Sequence, residues 1–252
     1  MDQFGEQLSF FELSRENGSF LATPSKSRNT EFDMRHASPE DAAGFKESDK
    51  SEVKAIIDMG SVKILPPEEA AKIAKQVPHR VITSRMIRRK KPMPGVGNFK
   101  FKSRWCVHGH KDPDSHMLKT YSPMPSTEAI SMFFQICVNL SLLVSLADVS
   151  NAFCQAEPLD RPHGKIYVKP CEGLDLPPGC LVELVAPVYG LDDAPLRWHQ
   201  TLITFFESMG FVRSLLEPCW LVKRERGAIV AMVLIEVDDI NIGVIPGYQE
   251  EL

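Results

Sequence analysis

The pattern of apolar and polar positions changes near residue 50. Before it, Ser, Asn, Glu, Asp and Lys mix without sustained apolar periodicity. Such a stretch buries too little surface to offset the entropy of ordering, so residues 1–50 are expected to be a disordered or loosely attached arm. After it, Ser51 to Gly60 predicts a capped helix stopped by glycine, and Val62 to Leu65 predicts a strand. Pro66-Pro67-Glu68-Glu69 opens a second helix, with proline and acids where a helix N-terminus favours them. Val81 to Arg89 and Phe99 to Val107 predict a hairpin around the turn-rich segment Pro92 to Gly97. Behind a cap at Ser126 or Thr127, Ile130, Phe133, Phe134, Cys137 and Val138 recur at helical spacing. An apolar strand, Leu142 to Ala147, then runs into Asp148, followed by a short helix around Asn151 to Cys154. Lys165 to Lys169 and Cys180 to Val185 predict a strand pair. A long helix from Ala194 to Met209 presents Trp198, Leu202, Phe205 and Phe206 on one face before Gly210 ends it. Strands at Cys219 to Lys223 and Ala228 to Val237 follow. Strands mixed with helices that need a sheet to cover predict an α+β fold, a mixed sheet packed on helices, with no internal repeat.

The last apolar stretch is broken at Val237-Asp238-Asp239-Ile240. Two adjacent carboxylates between strand-forming runs are costly unless water, a turn or a cation compensates them. Asp148, at the end of another apolar strand, supplies a third. Three acids delivered from two strand ends suit a two-magnesium phosphoryl-transfer site, because hard cations take oxygen ligands. Asp-Asp between strands is equally hairpin-turn chemistry, and Asp148 before Val-Ser-Asn-Ala-Phe is equally a helix cap.

Charge sharpens this picture. The net charge of -4 by itself argues against a nucleic-acid binder, but the distribution does not. No Asp or Glu lies between His79 and Lys111, a strip that holds ten of the 29 basic residues. Such a strip can neutralise phosphates and release counterions, or can simply be a solvated basic face. The six cysteines form no Cys-x-x-Cys pair and read as reduced thiols, while Cys106-Val-His108-Gly-His110 has only weak ligand character. With 252 residues, 43% of them hydrophobic, the chain can bury a real core. No apolar run approaches membrane-spanning length and no secretory leader is legible, so an intracellular protein, cytoplasmic or nuclear and without a membrane partner, is expected.

Five motifs fall in a telling order: Lys102-Ser-Arg-Trp-Cys-Val-His-Gly109, Tyr121-Ser-Pro123, Asp148-Val-Ser-Asn-Ala-Phe153, Val188-Tyr-Gly-Leu-Asp-Asp-Ala-Pro-Leu-Arg-Trp198 and Val237-Asp-Asp239. In that order they resemble the reverse transcriptases of copia-type retrotransposons, over roughly residues 52 to 243. The resemblance implies the fingers and partial palm of a right-handed polymerase, with fingers over 51–125 and palm over 126–252. It implies RNA-directed DNA synthesis on an RNA template and DNA primer from deoxynucleoside triphosphates. Asp148 then matches the first catalytic aspartate, and Asp238 and Asp239 the paired ones. Asp148 and Asp238 would ligate two Mg2+ ions, with Mn2+ an acceptable substitute, and Asp239 would support them more peripherally. Lys102 and Arg104 align with cations that hold the triphosphate. Phe153 aligns with an aromatic ring beneath the incoming sugar, where it would exclude a 2′-hydroxyl. Tyr189, Gly190, Ala194 and Pro195 match the segment beside the template and nascent pair, while Trp198 is expected to anchor its helix in the core.

The departures carry expectations too. Glu236 stands where relatives usually have an aromatic residue, and its side chain can alternate away from the site. Asp192-Asp193 replaces a common Lys-Gln, and Leu196 replaces a common Arg, changes expected to weaken template binding. The chain stops just past the catalytic hairpin, which predicts a fragment without late palm and thumb, weak or inactive alone, from a longer retrotransposon polyprotein. The alternative is a catalytically inactive transposon-derived remnant that binds nucleic acid through the basic strip.

Overall fold

The computed structural model describes residues 31–93 and 99–248. In chain order its elements are α1 (Pro39–Asp58), β1 (Val62–Leu65), α2 (Pro67–Gln76), β2 (Val81–Pro92), β3 (Phe99–Val107), α3 (Thr127–Asn139) and β4 (Leu143–Asp148). They continue with β5 (Tyr167–Lys169), β6 (Leu181–Leu184), α4 (Ala194–Ser208), β7 (Val212–Arg213), β8 (Trp220–Glu225), β9 (Ala228–Glu236) and β10 (Asp239–Val244). The architecture is α+β, as the apolar pattern predicts. It divides into two compact units, each drawing on two separate stretches of the described residues.

The first unit takes the described residues up to Lys119 together with Phe153–Ala194. Its sheet has the order β1-β6-β5-β2-β3 and is mixed, because β2 pairs with β5 in parallel while the other neighbours are antiparallel. The second takes Thr120–Ala152 and the chain from Pro195 onward. Its sheet is wholly antiparallel, in the order β4-β10-β9-β8-β7. The contiguous division at residue 125 therefore does not describe the packing, since 153–194 returns to the first sheet to supply β5 and β6.

The boundary at residue 50 needs the clearest correction. Residues 39–50, expected in the arm, form the first turns of α1, and the helix is capped at Ser38 rather than Ser51. The Ser38 hydroxyl accepts from the Asp41 amide at 3.1 Å, Pro39 occupies the first turn, and Glu40 and Asp41 face the positive end of the helix dipole. Polar composition hides this helix because its ordering comes from tertiary contacts. Phe45 is fully buried with its ring 4.8 Å from that of Phe101, Asp49 pairs with Arg88, and Asp41 pairs with Lys90. Residues 1–30 of the expected arm, and most of the turn expected at Pro92 to Gly97, lie outside the described residues.

In the second unit the run Ala228 to Ile235 becomes the central strand β9. Val230 to Ile235 are all at most 5% exposed, so both faces are covered, which is why the run lacks alternation. Phe133 and Cys137 of α3 pack on Met232, Leu234 and Trp220, and a side chain at Gly243 would collide with the Cys137 sulfur. The helix begins at the expected cap, where the Ser126 hydroxyl accepts from the Ala129 amide.

Candidate active site

Strand register brings the three aspartates together. Asp239 lies directly opposite Asp148 on β4, and directly opposite Glu236 on β9. Residues opposed across antiparallel strands project to the same face, so Asp148, Asp239 and Glu236 form a row of acids across three strands at one end of the sheet. Asp238 occupies the two-residue turn between Glu236 and Asp239. Its carbonyl accepts from the Val149 amide at 3.0 Å, which ties the turn to the residue that follows Asp148. Asp148 and Asp239 are exposed and Asp238 half-buried, so the carboxylates rim an apolar sheet rather than sit within it.

The turn is strained. Val237 has φ +61°, a left-handed conformation that a β-branched residue adopts only when its surroundings impose it. One of those surroundings is Trp198 of α4, fully buried, whose indole N–H donates to the Val237 carbonyl at 2.7 Å.

Glu236 does not alternate away. It shares a face with Asp148 and Asp239, and its carboxylate accepts from the Asn241 side-chain amide at 2.7 Å. That outcome follows from turn geometry, because the residues flanking a two-residue hairpin turn always face the same side.

Among the described residues no three His, Cys, Asp or Glu side chains close into a metal cage. The donor chemistry nevertheless fits hard divalent cations. Magnesium is commonly held by one or two carboxylates with phosphate oxygens completing the shell, and this rim offers oxygen ligands open to solvent.

The other unit gathers two of the expected nucleotide residues, Arg104 and Phe153, around Tyr189. The Arg104 guanidinium lies 3.9 Å over the Tyr189 ring, and the Phe153 ring lies 4.9 Å from it. Arg104 on β3, Phe153 and Tyr189 thus meet from three chain segments. Tyr189 itself is 8% exposed, so its ring supports its neighbours more than it presents a surface. The segment lies along β3, with the Val107 amide donating to the Tyr189 carbonyl and the Gly109 amide to the Gly190 carbonyl. Gly190 has φ +96° and its place admits no side chain, since a Cβ would stand 2.0 Å from the Val107 oxygen.

The basic strip is two surfaces. Arg80, Arg85, Arg88 and Lys90 pair with Asp114, Glu31, Asp49 and Asp41. On the hairpin face that also carries Arg85, exposed Arg89 stands across from exposed Lys102, and Lys91 across from Lys100. His108, in the weak ligand motif, is instead 2.6 Å from the Thr83 hydroxyl through Nδ1.

The Asp192-Asp193 departure also resolves. Asp192 is exposed, but Asp193 is turned inward, 2% exposed, and forms a two-pronged pair with Arg161 at 2.6 and 2.8 Å. Arg161 also bonds Asp112 at 3.0 Å. Nearby, Asp114 accepts from Arg80, a bond that holds its carboxyl down at about 2, with a second contact to His163. The second aspartate of the pair is therefore part of a buried ion network. Nothing in the local pattern around Arg161 signals this.

Comparison with known proteins decides the family. Residues 72–249 match the family model described as reverse transcriptase (RNA-dependent DNA polymerase). The chain belongs to the reverse transcriptase family. Its relatives include the retrovirus-related Pol polyprotein from transposon RE2 of Arabidopsis thaliana, 30% identical over 146 residues. The corresponding polyproteins from transposon RE1 of Arabidopsis thaliana and from transposon TNT 1-94 of Nicotiana tabacum are 29% and 25% identical over the same length. Each alignment takes in 57% of this chain and about a tenth of the relative. The copia-type resemblance drawn from the motifs thus stands on independent similarity. In this reverse transcriptase-family chain, no helix among the described residues is long and apolar enough to cross a membrane.

Proposed function

We propose that this chain is an RNA-directed DNA polymerase domain of a copia-type Pol polyprotein, adding deoxynucleotides to a primer 3′-hydroxyl with two divalent cations. The observation that carries the reading is the register of Asp148 opposite Asp239, with Asp238 tied to the Val149 amide, in a chain of the reverse transcriptase family. Fingers and palm are the expected assignments of the first and second units.

Asp148 and Asp238 would hold Mg2+, or Mn2+ in its place, with Asp239 supporting them. The chemistry such cations supply when bound is activation of the primer hydroxyl and neutralisation of charge on the phosphates. The protein's own groups do the rest. Arg104, its guanidinium plane fixed by Tyr189, offers a preoriented fork to triphosphate oxygens, and exposed Lys102 adds a point charge. Phe153, braced by Tyr189, is the ring expected beneath the sugar, where a 2′-hydroxyl would meet it. Gly190, Ala194 and Pro195 keep the adjoining segment slim where template and nascent pair are expected. Exposed Arg89, Lys91 and Lys100 offer cations to a polyanionic partner such as the template-primer.

Primer extension on an RNA template tests this reading. The wild-type chain is expected to extend the primer in Mg2+ with deoxynucleotides, and Asp148→Asn to lose on the order of a thousandfold or more in rate. Equal extension by Asp148→Asn contradicts the assigned mechanism. Salt-sensitive RNA binding without any extension, indifferent to chelation of Mg2+, favours the binding-only remnant.

A further inference from the structure

We infer that Trp198 is a positioning residue for Asp238, holding the hairpin tip in its strained form through one hydrogen bond to the Val237 carbonyl. Its bearing on catalysis rests on the polymerase reading, but the anchoring itself does not.

The argument begins with an ill-suited residue. A two-residue hairpin turn with positive φ at its first position calls for glycine there. This chain places valine at that position with φ +61°, a left-handed conformation that a β-branched side chain strongly disfavours. Such strain persists only where neighbours over-determine the backbone. Here both turn carbonyls are held, Val237 O by the Trp198 indole at 2.7 Å and Asp238 O by the Val149 amide at 3.0 Å. Asp238 is carried between the two anchors. One comes from α4 and the other from the residue after Asp148.

The anchoring differs from ordinary burial of an indole. The indole N–H groups of Trp105 and Trp220 are also buried, yet among the described residues they find no partner. Those two rings fill core space alone. Trp198 fills core space and spends its one donor on the turn. A carbonyl deprived of that donor inside the fold would be left unsatisfied, and the turn would move to satisfy it. Trp198 lies two residues from the departure at Leu196, in a helix whose other buried polar side chain, His199, leaves its Nε2 without a hydrogen-bond partner among the described residues.

The test compares amide exchange at Val149 with exchange at Ile235, whose amide bonds the Cys219 carbonyl within the core. Their ratio isolates local loosening of the tip from global destabilisation. In the metal-free full chain, Trp198→Phe is expected to raise the ratio about tenfold, as loss of one buried hydrogen bond implies. Leu202→Ala, which opens the core at an equally buried site of the same helix, should leave the ratio unchanged. With Val237→Gly as background the strain is gone, and the effect of Trp198→Phe should shrink to less than about threefold. Mn2+ affinity should fall about threefold in Trp198→Phe and recover in the double variant. An unmoved ratio in Trp198→Phe, or an equal rise in Leu202→Ala, overturns the inference. A wild-type chain that binds no Mn2+ while the ratio still rises in Trp198→Phe supports the anchoring and retires the polymerase reading instead.

Discussion

In the sheet β4-β10-β9-β8-β7, Asp148 and Asp239 stand exposed at one end, and the central strand β9 is apolar on both faces. In the sheet β1-β6-β5-β2-β3 and its loops, Arg80, Asp112, Asp114, Arg161 and Asp193 are buried and paired with one another. The first arrangement places charge by backbone register, so a carboxylate there can be exchanged for an amide with little loss of stability. The second places charge by mutual compensation, so removing one partner leaves another stranded out of water. On the proposed reading, function is most sensitive where the fold is least sensitive, and the reverse.

The largest test of that contrast is Arg161→Met. It leaves Asp112 and Asp193 buried without their cation and is expected to cost about 3–5 kcal/mol. Thermal or denaturant unfolding checks this, and Asp148→Asn in the same assay should change stability by less than about 0.5 kcal/mol. Similar losses from both substitutions would erase the distinction between the units.

Acid should separate the two sheets next. Burial lowers the His199 pKa, and its Nε2 has no partner among the described residues, so the folded state favours the neutral ring. That contribution is fully present above the ordinary histidine value of about 6.5 and is lost as pH falls through the lowered value. Asp114 is held at about 2, chiefly by its bond from Arg80, so its contribution is present above about 3.9 and is lost only as pH falls towards 2. Acid unfolding should accordingly begin with a limb below about pH 6.5 that His199→Phe reduces, the remainder coming from His108, whose pKa burial also lowers. A limb unchanged in His199→Phe contradicts the assignment.

Glu236→Gln gives the smallest effect. Removing the third acid from the row should raise the Mg2+ concentration needed for half-maximal primer extension about twofold, read from a Mg2+ titration. An unchanged requirement would mean that the bond from Asn241 has already withdrawn Glu236 from the rim.

Much of this was legible in the sequence, for reasons that differ by element. α3 and α4 show their apolar faces at helical spacing, and β9 shows its burial as an unbroken apolar run. Asp238-Asp239 could be read because charge inside such a run requires an explanation. The facing of Glu236 was also available from hairpin geometry, though alternation counted along one strand obscures it. The first half of α1 was not legible, because Asp41 and Asp49 look like solvated polar residues until Lys90 and Arg88 are brought to them. The same holds for Asp193, whose partner Arg161 lies in a different loop. Compensation between distant charges leaves no periodic trace.

The central claim is that Asp148, at the end of its strand, and Asp238, in the turn tied to the Val149 amide, share one cation. A double-mutant cycle in Mn2+ binding tests it most directly, titrating wild type, Asp148→Asn, Asp238→Asn and the double variant. Either single substitution should remove most of the binding, and the double should lose little more than the weaker single. Losses that simply add, or one variant that binds as wild type does, would contradict a shared site.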